Sequence, residues 1–152
     1  MKRRDVFKKI GLASISLGTA GVFIPNWVQS QSQTSGKLII NRQKMSFADP
    51  KNPTDFEMKH TPEITFLEAD GKGFTRVKIH MGSKGIVHPT EENHWIDYIK
   101  IFNNDKLVSF TEFENGPIRG YAEYYIKLAK GDKVLVEAAC NLHGIWTNNA
   151  TF

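Results

Sequence analysis

From residue 61 onward short β-forming runs alternate with turn signals, and this rhythm constrains the fold more than any other feature of the chain. The runs are Glu63 to Glu68, Phe74 to His80, Trp95 to Phe102, Lys106 to Glu114, Tyr121 to Leu128 and Lys133 to Ala139. They are rich in Ile, Val, Phe, Tyr and Thr, whose branched or aromatic side chains fit a pleated surface. Between them lie Asp70-Gly71-Lys72-Gly73, Gly82 to Gly85, Asn103-Asn104-Asp105, Asn115-Gly116-Pro117 and Ala129-Lys130-Gly131-Asp132, all built from residues suited to tight turns. No helical pattern alternates with the strands, which argues against parallel βαβ layers. A further contribution from 37–40 brings the count to about seven, and the expected fold is an all-β, immunoglobulin-like antiparallel β-sandwich. Residues 46–56, with Pro50, Asn52 and Pro53, are expected to form a loop.

The 152 residues fall into three parts. Residues 1–30 read as a twin-arginine-type export signal: Arg3-Arg4, then Asp5, Val6-Phe7 and Lys8, then a mildly apolar run from Ile10 to Val28. Lys2 stands where such leaders usually carry Ser or Thr. Residues 31–36 are a polar linker, and 37–152 form one domain, long enough to bury a core without cross-links. With a single cysteine in the chain, no internal disulfide is available. The formal charge of +4 belongs to the leader, where Lys2, Arg3, Arg4, Lys8 and Lys9 outnumber Asp5; the remaining charges balance. Such a body gives no electrostatic footprint for nucleic acid. The expected location is periplasmic, by export. The alternative is a membrane-anchored domain outside the cytoplasm, because the apolar run approaches the roughly 20 residues of a span, although Pro25 and the glycines weaken it. Membrane contact is expected only through the leader, if it stays uncut. The twin-arginine route exports folded proteins and is commonly used when a cofactor is inserted beforehand.

The chemistry-bearing residues sit outside the strand patterns. Cys140 and His143 stand three apart in Cys140-Asn141-Leu142-His143-Gly144-Ile145-Trp146. A tight turn would point both at one metal ion, and a thiolate with an imidazole suits iron, copper or zinc. A lone buried cysteine is also commonly a small hydrophobe. His60 precedes Thr61-Pro62, His88 precedes Pro89, and His94 opens the run at Trp95. All four histidines are expected on loops or strand ends, where a sandwich presents functional groups. His80 lies inside a strand pattern and is read as an ordinary half-buried or solvated histidine. Four nitrogens and one sulfur exceed the four-ligand set of structural zinc and fit a five-coordinate iron with one open position better.

Three motifs in order carry a resemblance. Lys59-His60-Thr61-Pro62 resembles the Glu-Lys-His-x-Pro segment of superoxide reductases, the neelaredoxin and desulfoferrodoxin family. His88-Pro89-Thr90-Glu91-Glu92-Asn93-His94-Trp95-Ile96 is similar to the segment where His-Pro is followed by His-x-Ile. Cys140-Asn141-Leu142-His143-Gly144-Ile145-Trp146 is similar to the closing Cys-Asn-x-His-Gly-x-Trp. The resemblance covers roughly residues 37–147. It implies a mononuclear ferrous/ferric iron held by His60, His88, His94 and His143 in the equatorial plane and by Cys140 as axial thiolate. The chain lacks the four cysteines of the N-terminal iron domain in longer members, so it resembles the one-iron class.

The implied reaction adds one electron and two protons to superoxide and yields hydrogen peroxide. Superoxide would bind opposite Cys140, whose thiolate pushes electron density towards the iron. No second cofactor motif is present, so an external electron donor, a small redox protein, is expected. Lys59 is expected to draw in the anion and to donate a hydrogen bond to it. The family glutamate that caps the ferric iron directly precedes the lysine; here Met58 stands there and Glu57 is one residue further back. Either Glu57 reaches the iron after a small adjustment, or that ligand is absent. The reading leans to absent, because neighbours in an extended segment point opposite ways. Asn141, Gly144 and nearby backbone N–H groups are candidates for bonding the sulfur. Trp95 and Trp146 either shield the site or fill the core.

One rival is a cupredoxin-like metal-binding electron carrier, which also uses a late cysteine-histidine pair. Its axial methionine follows that pair, whereas the last methionine here is Met81. Another is a sandwich module with a merely structural metal. Whether the chain forms a homo-oligomer is left open by the sequence.

Overall fold

The computed structural model describes residues 38–114 and 116–152. The expected leader, the linker and the start of the expected 37–40 contribution lie outside the described residues. Among the described residues no helix is long and apolar enough to cross a membrane.

A short helix, α1 (Asp55–His60), leads into seven strands: β1 (Pro62–Ala69), β2 (Thr75–Met81), β3 (Ile96–Asn103), β4 (Lys106–Glu112), β5 (Tyr121–Ile126), β6 (Lys133–Cys140) and β7 (Gly144–Thr151). They form two antiparallel sheets, one in the order β1-β2-β5 and the other β4-β3-β6-β7. This is the expected seven-strand β-sandwich, but its seventh strand is not the expected one. Residues 38–40 form no strand; the seventh is β7, which pairs with β6 along its whole length, from Lys133↔Thr151 to Cys140↔Gly144. Asn148-Asn149 has weak β-propensity, so pairing with β6 carries the strand through it and local preference does not. Asn148 Nδ2 also donates to Pro62 O at 2.9 Å, tying β7 to the start of β1.

The core follows the strand period. Val77 and Ile79 of β2 face Ile99 and Ile101 of β3 and Val134, Val136 and Ala138 of β6, all fully buried. Each buried Ile or Val contributes about 1.5–3 kcal/mol relative to exposure. The β3–β6 register slips between Ile96 and Tyr98. This irregularity lets Ile96 and Ile99, three apart, both face the core. Asp97, at the slip, is buried and ion-paired with Arg42. Asn104 and Asp105 both take positive φ in the two-residue β3–β4 turn, the conformation that hairpin turns require and that Asn and Asp tolerate.

Register also explains where chemistry can gather. Pro62 pairs with Met81, Ile96 with Cys140 and Cys140 with Gly144. The start of β1 therefore lies beside the end of β2, and the start of β3 beside the end of β6 and the start of β7. His60, His88, His94 and His143 occupy the segments flanking those strand ends.

Candidate metal centre

His60 is placed by α1, which the expected loop 46–56 did not anticipate at its last two residues. Thr54 caps the helix in a reciprocal capping box with Glu57; the spacing Thr54-x-x-Glu57 was the sequence signal for it. Thr61 takes an extended conformation, as a residue before proline prefers, so the helix ends at His60. The His60 ring turns back along the helix and its Nδ1–H donates to Phe56 O at 2.6 Å. His88 is anchored by its backbone N–H to Met81 O at 3.1 Å, and its Nδ1–H donates to Pro89 O at 2.5 Å. A carbonyl can only accept, so both rings carry their proton on Nδ1 and present Nε2 as a lone pair. His94 is held in its loop by reciprocal backbone bonds with Glu91. Cys140 is the last residue of β6 and faces the core. His143 closes the β6–β7 turn, where Trp146 Nε1–H donates to its carbonyl at 3.0 Å.

The four imidazoles form a square. Ring centroids lie 4.9 Å apart for His60–His88 and 4.7 Å apart for His88–His94, His94–His143 and His143–His60. Each neighbouring pair is near-perpendicular, at 70–78°, and the His60–His94 diagonal is 6.0 Å. His143 Nδ1 stands 3.0 Å from His60 Nε2, 3.1 Å from His94 Nε2 and 3.5 Å from Cys140 Sγ. Donor atoms of His60, His88, His94 and Cys140 all lie within 4.8 Å of one another. His88 Nε2 is buried with no hydrogen-bond partner among the described residues. Buried polar atoms are almost always satisfied, and lone pairs converging on one point suit a cation. The residues therefore fit a metal ion, with a nitrogen-rich set and one soft sulfur.

The electrostatics favour deprotonated ligands on the nitrogen side. Burial pushes the imidazolium pKa of His60 down to about 4 and that of His88 to about 3, with repulsion from neighbouring imidazoles adding to it. His94 and His143 are lowered by burial and then by neighbouring charge, Lys59 included. Burial raises the Cys140 thiol, while backbone N–H groups of Leu142 and His143 and the charges of Arg42 and Lys59 pull it down. A bound cation would carry that downward pull further.

The walls come from residues that the sequence reading partly missed. Trp146 lies stacked on His60, at 5.5 Å and 20°. Phe56 packs against His60 at 4.6 Å and edge-on against His143 at 5.0 Å; nothing in its local sequence marked it. Lys59 is half-buried, with Nζ 5.7 Å from the Phe56 centroid. Trp95 is fully buried and is not among the rings that border the imidazole square.

Glu57, the candidate capping ligand, and His80, read as an ordinary histidine, both lie outside the cluster. The Glu57 carboxylate accepts from Ala48 N at 2.7 Å, Thr54 N at 2.7 Å and Thr54 Oγ1 at 2.8 Å. These bonds hold it at the N-terminal end of α1 and push its pKa below the ordinary carboxylate range, the Thr54 N–H foremost. His80 points from β2 towards Gly82 O, 3.2 Å from Nδ1, and lies edge-on to Tyr121. Gly144, a suggested sulfur partner, has φ +83°, and a Cβ there would lie 2.6 Å from Gln43 O, so its role is to let the chain pass closely.

The Desulfoferrodoxin family matches residues 52–149. A desulfoferrodoxin from Nitratidesulfovibrio vulgaris is 31% identical over 125 residues, covering 82% of this chain and 89% of that protein. A superoxide reductase from Pyrococcus furiosus is 32% identical over 111 residues, covering 61% and 87%. Among solved structures, the superoxide reductase (neelaredoxin) of Archaeoglobus fulgidus in its reduced form superposes with a TM-score of 0.56 at 25% identity, covering 73% of this chain and 97% of that one. Neither the ligand set nor these likenesses support the copper-carrier alternative.

Proposed function

The chain belongs to the desulfoferrodoxin family, and we propose on that premise that it is a one-iron superoxide reductase, converting superoxide, one electron and two protons into hydrogen peroxide. The observation that carries this reading is the square of four imidazoles with the Cys140 sulfur within reach of it. In this reading His60, His88, His94 and Cys140 hold the iron together with His143, which would use Nδ1. Iron bound there would supply the single electron for the substrate, and an external donor, a small redox protein, would restore it.

The chain's own residues do the rest. Phe56 and Trp146 cover the imidazoles and lower the local dielectric, so charges at the site act more strongly. Lys59 places a cation beside the cluster, where it attracts an anionic substrate and can donate to it. Backbone N–H groups of Leu142 and His143 stabilise the Cys140 thiolate. Glu57, committed to the helix cap, leaves the metal to the five donors. As an exported protein with a twin-arginine leader, it would act in the periplasm in oxidative-stress defence.

The decisive experiment is metal content of the purified protein together with superoxide consumption and peroxide yield. Stoichiometric iron, with one peroxide formed per superoxide at the expense of a reductant, is expected. Stoichiometric copper, or zinc with no superoxide consumption, would sink the assignment.

A further inference from the structure

We propose that Asn141 is a positioning residue for the metal centre: its buried side-chain amide clamps the peptide groups on both sides of His94 and so sets that imidazole against Cys140 and His143. The inference rests on the metal-centre reading above and adds to it the device that assembles the ligands from separate chain segments.

His94 is the ligand candidate with the weakest local support. It belongs to the connection between β2 and β3, and its bonds to Glu91 stay within that connection. Asn141 supplies the tie to β6. Its side chain is fully buried. Oδ1 accepts from Trp95 N at 2.9 Å, and Nδ2 donates to Asn93 O at 3.0 Å. These are the residues immediately before and after His94. The second Nδ2 hydrogen goes to Leu38 O at 3.0 Å, which brings the N-terminal segment over the same turn. The Asn141 backbone continues the pattern: its N–H donates to Trp95 O at 3.1 Å, and its carbonyl accepts from Ile40 N at 2.8 Å and Asn41 N at 3.3 Å.

An asparagine amide offers two donors and one carbonyl acceptor. Here the partners are two carbonyls and one N–H, so the amide fits in one orientation only. Cys140 precedes the clamp directly and His143 follows two residues later, both on the same turn. One side chain thus fixes one ligand segment against another, and the His94 Nε2 to His143 Nδ1 distance of 3.1 Å follows from it. By contrast, Cys140 Sγ lies 4.0 Å from Asn141 Oδ1, so the amide acts on the placement of His94 more than on the sulfur. Preorganised ligands avoid the ordering cost of assembling a site around the ion.

Cobalt(II) titration of the metal-free full-length chain tests this, with optical bands reporting donor number and the sulfur ligand separately. Asn141→Ala is expected to bind cobalt about 10–100-fold more weakly. Its d–d spectrum should match that of His94→Ala, while the sulfur-to-cobalt band is kept. The double variant Asn141→Ala/His94→Ala should bind no more weakly than His94→Ala alone, because the two losses are one loss. Wild-type affinity and spectrum in Asn141→Ala, or losses that multiply in the double variant, overturn the proposal. Amide hydrogen exchange on the metal-free wild type provides a second arm that needs no variant to fold. The Trp95 N–H is expected to be protected like the core amides of β3; exchange at loop rates overturns the clamp. Failure of the wild type to take up cobalt would count against the metal centre, and the exchange measurement would still decide the clamp.

Discussion

His60 Nε2 and His143 Nδ1 stand 3.0 Å apart although 83 residues separate them in the chain. The first ring is delivered by the end of a six-residue helix and the second by the turn between β6 and β7. The contact is a product of the sandwich, which brings the end of α1 beside the β6–β7 turn, with Phe56 against His143 and Trp146 against His60.

Replacing Cys140 separates chemistry from fold. Cys140→Ser keeps the residue small, and the cost of a buried hydroxyl is about 1–3 kcal/mol, which a sandwich of this size should survive. Most of the superoxide reductase activity is expected to disappear, together with the sulfur-to-iron band of the oxidised protein. Turnover at the wild-type rate would refute the thiolate's role.

The proposed role of Lys59 is electrostatic. Lys59→Ala should slow the bimolecular reaction with superoxide by several-fold to about tenfold and flatten its dependence on ionic strength. Pulse radiolysis across a salt series measures both. An unchanged rate would make Lys59 a bystander.

Glu57 serves the helix. Glu57→Gln preserves an acceptor for the capping box and should leave the optical spectrum of the iron-loaded protein unchanged. Glu57→Ala removes the bonds to Thr54 and Ala48 and is expected to lower the melting temperature without abolishing metal binding. A spectral change in Glu57→Gln would instead place the carboxylate on the metal.

The buried imidazoles make the metal-free protein sensitive to acid. His60 and His88 have folded-state pKa values of about 4 and about 3, against an ordinary 6.5. Below 6.5 the unfolded chain binds protons that the folded one refuses, so stability falls with pH. Their contribution is full above pH 6.5 and is lost progressively as pH drops towards 4 and then 3. Urea unfolding of the metal-free chain from pH 7.5 to 4 should show this decline. His88→Gln should flatten it, and an equally steep decline in that variant would exclude His88 as a source.

Gly144→Ala tests the close passage behind the site. The added Cβ meets Gln43 O at 2.6 Å and Met45 Cγ at 2.9 Å, in a backbone with φ +83°. A loss of about 2 kcal/mol or more is expected from the strain and the displaced Gln43 segment. Thermal unfolding of the metal-free variant measures it; a wild-type melting temperature would show that the segment yields freely.

The strands β1 to β6 were legible because each is a local pattern: branched and aromatic residues bounded by Gly, Asn, Asp or Pro. The second strand shows it well, with Val77 and Ile79 inward and Lys78 between them. The ligand candidates were legible too, because His60, His88, His94, Cys140 and His143 fall where the strand patterns stop. The sequence by itself determined the inventory: which side chains carry donor atoms, and that they lie at strand ends. Tertiary structure alone decided three things. It carried a strand through Asn148 and Asn149 by pairing with β6, where local propensity is weak. It brought Ala48 N to the Glu57 carboxylate, where proline and asparagine had suggested only loop, although the Thr54-x-x-Glu57 capping box was written locally. It also turned the Asn141 amide towards Asn93 and Trp95, since those groups approach only after β3 and β6 have paired. Local patterns are written in neighbouring residues, whereas each of these outcomes depends on hydrogen-bond partners that the closing of the fold brings within reach.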